Sequence, residues 1–253
     1  MPSPHPLRTS FALQPTANLV SFVGGGGKTS LLFALSRELA AAGQRVIATT
    51  TTRIATGEVL RAPAYCLAAE LYRLPGLLEE HPFCVVVGAV GHDKAKSVPL
   101  SLPGRLLARP GIDHVLVEAD GAKMLPIKAP GSHEPAIPPG TTLLVPVVGI
   151  DALSATLQAI AHRPELLGTL LNRSLHEKLT PQDVARLLTS EDGALRNAPA
   201  HARIIPFINK VESDEQMAEA TEIARLVIAH PRIERVLIGA ARTDRPVRHI
   251  VAR

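Results

Sequence analysis

The chain has 253 residues, a formal net charge of +4 and 46% hydrophobic residues, with aromatics only 3%, so its core must be aliphatic. This length suits one large α/β domain or a domain carrying an insert. No apolar run approaches the roughly eighteen residues of a membrane span, the Lys and Arg residues are spread too evenly for a nucleic-acid footprint, and Cys66 and Cys84 imply no disulfide framework. Residues 1–14 carry prolines, His5 and Arg8 but no apolar stretch of the secretory kind, so the expectation is a cytoplasmic protein away from membranes.

In chain order, the apolar run 19–23 predicts a buried strand, followed by Gly24, Gly25, Gly26, Gly27, Lys28, Thr29 and Ser30 and then by leucines at helical spacing, Leu31, Leu32, Leu35 and Leu39. Strand, glycine loop and helix start are the context of a phosphate loop. Glycines allow positive φ and close approach to an anion, and the helix N-terminus directs N–H groups at phosphate oxygens. Lys28 would reach the terminal phosphates of a nucleoside triphosphate, and the Thr29 hydroxyl would coordinate Mg²⁺. The commonest spacing would need glycine at Phe22; what fits is the shorter G-x-x-G-K-T, which resembles the loop of the Mur-type amide ligases.

Gly43 predicts a helix end, and a second strand over 44–48 runs into Thr49-Thr50-Thr51-Thr52-Arg53. Those threonines form either an extended solvated turn or a set of hydroxyls for Mg²⁺, its waters or a substrate, with Arg53 available to an anion. A short strand at 65–67, a helix around 68–72, and strands at 83–87, 114–117, 143–148, 203–208 and 235–238 follow. Pro206 argues for an edge or bulged position in its strand. Helical patterns between the strands imply a mostly parallel twisted sheet flanked by helices, P-loop NTPase-like, read as one domain over 1–253. Residues 151–200 break the rhythm and read as a helical insert, with Thr180-Pro181 as an N-cap and first helical position.

Ligands in such a sheet sit beyond the carboxyl ends of the strands. Glu118-Ala119-Asp120-Gly121 follows the strand at 114–117, where a Walker-B carboxylate would hold Mg²⁺. Glu118 is expected on the metal and Asp120 on water or substrate, with a Gly121 N–H near the γ-phosphate. The spacing matches the D-x-x-G element of GTPases with Glu for Asp. Asn209-Lys210-Val211-Glu212 resembles their N-K-x-D element, again with Glu for Asp, and would read guanine; the alternative is an ordinary strand-to-helix turn. Gly239-Ala240-Ala241 could close the base pocket. Lys123, Lys128, His133 and Glu134 lie in or near the proline-rich stretch 126–139, which cannot be regular helix and suits an active-site lid. His133-Glu134 is a weak metal pair, His92-Asp93-Lys94 reads as a solvated loop, and His162-Arg163-Pro164 as a helix boundary.

Taken together, VGGGGKTSLL, ATTTTRI, VLVEADGAKMLPIKAPGSHEP, the DAL after the fifth strand and FINKVE resemble the YqeC family over most of the chain, from about Leu19 to Ala240. The resemblance implies a Mg-dependent P-loop protein binding GTP or ATP. It also implies an accessory role for a molybdenum hydroxylase, in maturation of its selenium-containing cofactor. The alternative is a small-molecule kinase or an ATP-dependent ligase. The expected partners are the nucleotide and the hydroxylase or its cofactor, with neither nucleic acid nor membrane.

Overall fold

The computed structural model describes residues 5–253. Among these, ten strands make the central sheet: β1 (Asn18–Gly24), β2 (Val46–Thr50), β3 (Ala64–Leu67), β4 (Phe83–Val87), β5 (His114–Glu118), β6 (Leu143–Gly149), β7 (Arg203–Ile204), β8 (Phe207–Asn209), β9 (Arg235–Gly239) and β10 (Val247–Ala252). Their order is β10-β9-β8-β6-β1-β5-β2-β4-β3, with β7 beside β6. All pair in parallel except β9 with β10. The fold is therefore α/β, with a mostly parallel sheet between helices.

The strands are apolar on both faces because both faces are covered. Val20, Phe22 and Val145 pack with Leu31, Leu35 and Leu39 of α1 (Lys28–Ala41). On the opposite face Leu19, Val115 and Val117 meet α2 (Leu74–Glu80) and α3 (Leu102–Leu107) through Leu74, Leu78 and Leu106. Each fully buried leucine contributes about 1.5–3 kcal/mol. α1 ends at Gly43, whose φ of +80° lets Gly43 N–H donate to Ala40 O and Gln44 N–H to Leu39 O. That pair of bonds closes a helix only with a left-handed residue at this place.

The 151–200 segment holds α4 (Pro164–Leu171), α5 (Pro181–Thr189) and a turn of helix at Leu157–Ile160. Thr180 and Asp183 cap α5 reciprocally. Leu167, Leu171, Val184 and Leu187 share a core with Val148 and Ile208 of the sheet and with Ile223 and Val227 of α6 (Asp214–Val227). The segment is not wholly helical: Ala161–His162 pairs in parallel with Ile127–Lys128.

Three further expectations change. The strand expected over 203–208 is broken at Pro206 into β7 and β8, yet it is central rather than at an edge. The ladder survives because Ile205 N–H donates to Leu144 O and Pro206 O accepts from Leu237 N–H, so only the missing proline N–H is lost. Residues Ala68–Arg73 form a 3₁₀ helix. The second strand reaches Thr50, so Thr49 and Thr50 belong to it rather than to a turn.

At the amino ends of the central strands β1 and β5, the amide of Asn18 is oriented by its bonds to Gln14, and its Nδ2 donates to His114 Nδ1 at 3.1 Å. His114 is fully buried, with Nε2 lacking any partner. Burial holds this imidazole below its ordinary value, and a proton on Nδ1 would face a donor. The folded chain therefore keeps it neutral, while the unfolded chain protonates below about pH 6.5. Stability should fall as pH drops through that value. His114→Gln, which cannot charge, should flatten the decline in urea unfolding between about pH 7 and 5; an equal slope in both proteins would exclude His114 as its source.

Candidate functional site

β1, β2, β5, β6, β8 and β9 end on one side of the sheet, bringing distant segments together there. Gly24 (φ +94°), Gly26 (+72°) and Gly27 (+107°) turn the chain from β1 into α1. The glycines also admit the protein's own backbone. A Cβ on Gly25 would lie 2.8 Å from Leu125 O and Ile127 N, and one on Gly26 would lie 2.0 Å from Gly149 N. The loop is thus clamped between the 125–127 segment and the end of β6.

Three of its N–H groups are bonded internally: Gly24 to Asp120 Oδ2 (2.9 Å), Gly25 to Val147 O (2.9 Å) and Gly26 to Leu125 O (3.0 Å). The next helical turn differs. No side chain caps the N-terminus of α1, so the N–H groups of its first turn remain as donors for an anion.

Lys28 is buried at that terminus, donating to Gly24 O at 2.5 Å. Its Nζ lies 3.0 Å from Asp120 Oδ1, close enough for an ion pair but out of line for a hydrogen bond. Burial opposes its charge, yet Asp120 and Glu118 outweigh burial and hold the ammonium above its ordinary value. The Thr29 hydroxyl donates to Glu118 Oε2 at 2.6 Å. Burial pushes the Glu118 carboxyl up, against the pull of Lys28 and Thr29. Hard oxygen donors from a carboxylate and a hydroxyl at an uncapped helix start fit Mg²⁺, which takes few protein ligands beside phosphates and water. Among the described residues no group of three or more His, Cys, Asp or Glu is placed to hold a metal, so His133-Glu134 gains no further ligands of those types.

The loop over 121–139, expected from the sequence to be a lid, continues the charge pattern. Buried Lys128 lies 3.4 Å from Asp120 Oδ2 and donates to Gly121 O (2.8 Å) and Glu134 Oε2 (2.6 Å). Arg163 Nη1 reaches the same Glu134 oxygen at 2.5 Å, and Gly131 N–H at 3.3 Å. Burial alone would raise the Glu134 carboxyl, but Arg163 and Lys128 hold it at about 2. Lys123 and Met124 both adopt left-handed backbone at the lid tip, φ +48° and +65°, and Met124 is wholly exposed.

Around this centre, Thr50 Oγ1 donates to Glu118 O and Thr51 Oγ1 to Ala136 O, so these hydroxyls tie β2 to β5 and to the lid. Arg53 is exposed. Asn209 Nδ2 donates to Gly26 O (2.7 Å) while its Oδ1 accepts from Ala241 N–H (2.9 Å), joining the glycine loop to the turn after β9. Lys210 pairs with Asp151 at 2.6 Å. The Glu212 side chain is exposed and its backbone N–H bonds Gln216 Oε1, so of the three only Asn209 bonds the loop, while Lys210 is held by Asp151 and Glu212 faces outward. Ser30 Oγ accepts from Arg242 Nε. Arg163, Asp151 and Arg242 were not singled out as site residues by sequence; only the DAL segment pointed to Asp151. His92 and Asp93 are exposed and paired with each other.

A family model described as YqeC protein matches residues 20–165, more than half the chain. The chain is also similar to the protein of Escherichia coli (strain K12) described as "Uncharacterized protein YqeC", 29% identical over 237 residues, covering 93% of this chain and 92% of the relative. The matched family region takes in the glycine loop, Glu118, Asp120, Lys128, Glu134 and His162.

The side chains of Asn209, at the end of β8, and Glu212, beyond it, should behave differently on replacement. Asn209→Ala leaves buried Gly26 O and Ala241 N–H without a partner and should cost about 1–3 kcal/mol in urea unfolding. Glu212→Ala should stay within about 0.5 kcal/mol. Similar small effects from both would show that the amide does not brace the loop.

Proposed function

The chain belongs to the YqeC family, and on that premise we propose that it binds a nucleoside triphosphate with Mg²⁺ at the start of α1 and cleaves or transfers its terminal phosphate. The observation that carries this reading is the uncapped first turn of α1, with Lys28 buried at it and the Thr29–Glu118 pair alongside. Phosphate oxygens would take the free N–H groups of that turn. Lys28 would exchange Asp120 for phosphate, and Asp120 would keep the Gly24 N–H and Lys128. Thr29 and Glu118 would hold Mg²⁺, which when bound neutralises charge on the phosphates. Asn209 keeps the loop in register with the turn at Ala241, and Lys210, held by Asp151, would wall the base of GTP or ATP.

The family resemblance extends the proposal to an accessory role in maturing the selenium-containing cofactor of a molybdenum hydroxylase. The lid, with its exposed Met124 tip, is the segment we assign to such a partner. Nucleotide exchange at Lys28 would reach it through Asp120 and Lys128.

Calorimetry with Mg-GTP and Mg-ATP tests the core of the proposal. Lys28→Ala removes a charge-assisted contact of about 1.5–3 kcal/mol, so affinity should fall by at least about tenfold. Unchanged affinity would end the phosphate-loop reading.

Glu118→Gln keeps the shape and removes the charge. Nucleotide binding should survive it, while Mg-dependent turnover falls about 10²–10³-fold, as for loss of a single stabilising group. Full turnover in that variant, measured as phosphate release, would take Glu118 out of the role.

A further inference from the structure

The first turn of α1 offers more than its backbone. Leu31 is the first residue of the helix whose N–H finds a carbonyl, Gly27 O at 3.1 Å, so the N–H groups of Lys28, Thr29 and Ser30 bond no protein group. Ser30 also holds a cation: its hydroxyl accepts from Arg242 Nε at 3.1 Å. Helical side chains tilt toward the N-terminus of their helix. The Ser30 hydroxyl, and the guanidinium bonded to it, therefore lie on the side of the free N–H groups.

Arg242 arrives from the turn after β9, and that turn is fixed by other bonds. Ala241 N–H donates to the same Asn209 amide that bonds Gly26 O. Ala240 N–H donates to Pro246 O at 3.0 Å, and Thr243 Oγ1 to Ala240 O at 2.9 Å. The turn is thus tied twice to the junction of glycine loop and helix, once by a buried asparagine and once by Arg242 itself.

Stability alone does not account for an arginine here. A helix start carries partial positive charge and disfavours cations, and Lys28 already stands at it. Yet among the described residues Arg242 forms no ion pair with a carboxylate. Its one side-chain bond goes to a neutral hydroxyl, which leaves Nη1 and Nη2 without protein acceptors. On the other flank of α1 the imbalance has the opposite sign: buried Asp120 has Oδ1 with no hydrogen-bond partner. Asp120 follows β5 and Arg242 follows β9, strands on opposite sides of β1, so the two flanks suit different ends of one ligand.

We propose that Arg242 binds the α-phosphate, the one next to the nucleoside, so that the phosphate chain of a nucleoside di- or triphosphate lies lengthwise across the start of α1. The inference deepens the nucleotide reading above and rests on it. There the terminal phosphate and Mg²⁺ belong to Lys28, Thr29 and Glu118, on the β5 flank. The far end of the chain then falls at Ser30, whose free N–H and whose bonded guanidinium can meet oxygens of one tetrahedral group. A planar fork of N–H donors matches phosphate in this way. The nucleoside continues toward Lys210, which follows β8, the neighbour of β9.

The test is calorimetry of the full chain with Mg-GDP, Mg-ADP and the two triphosphates, joined to ³¹P NMR of the bound diphosphate. Arg242→Gln removes the charge and the fork from an exposed position, and thermal melts check that the fold is kept. Loss of a hydrogen bond to a charged group should weaken the diphosphate and the triphosphate alike, each by at least about tenfold. Arg242→Lys, which keeps the charge without the fork, should lose less. The α resonance of the bound diphosphate should move on Arg242→Gln while the β resonance moves less. Ser30→Ala, which removes only the anchor, should weaken binding in the wild-type background and add nothing to Arg242→Gln.

Wild-type affinity for the diphosphate in Arg242→Gln, or an α resonance that stays in place, overturns the assignment. A wild-type chain that binds none of the four nucleotides overturns the nucleotide reading itself, and the assignment with it.

Discussion

A buried ammonium governs this end of the molecule. Lys28 is only 4% exposed, and an ion taken out of water costs several kcal/mol unless an opposite charge accompanies it. Some anion must therefore sit at the start of α1 whenever the chain is folded. In the structure that anion is Asp120, itself 3% exposed and held by the Gly24 N–H. Asp120 also has Lys128 within 3.4 Å.

The same bookkeeping runs outward from the glycine loop. Positive and negative groups alternate from Lys28 through Asp120, Lys128 and Glu134 to Arg163, each in contact with the next. Lys128 is 1% exposed, so it too needs its partners. Because one ammonium serves both Asp120 and Glu134, a change of charge at Lys28 acts on the lid through a single intervening carboxylate. The glycines make this compactness possible: Gly25 and Gly26 lie against lid and β6 backbone at distances a side chain would not allow.

How much of this could be read from the sequence follows from which signals are local. Strand positions and the parallel α/β class follow from apolar runs bounded by glycine and helix patterns, and Gly43 announces the end of α1 by chemistry alone. The phosphate loop and the carboxylates after β5 are each contained within about six residues. What the sequence did not reveal is pairwise. Ile127–Lys128 and Ala161–His162 are two-residue strands with no periodicity, so nothing local says that His162 meets Gly121 or that Arg163 meets Glu134. Pro206 misled for a related reason: its missing donor matters only where a neighbouring strand would have used it, and there the flanking residues carry the ladder.

Asn209 illustrates the difference between a residue type and its work. A strand-end Asn-Lys suggests contact with a base, but both ends of the Asn209 amide are already committed, Nδ2 to Gly26 O and Oδ1 to Ala241 N–H. Aspartate would fail here, because it has no N–H for the Gly26 carbonyl and would set oxygen against oxygen. The Gly27 position is bound to the same requirement, since a Cβ there would come within 2.6 Å of Asn209 Nδ2. Glycine in the loop and asparagine after β8 are therefore one solution to one packing problem. They hold the first turn of α1, whose N–H groups no side chain caps, in one fixed place.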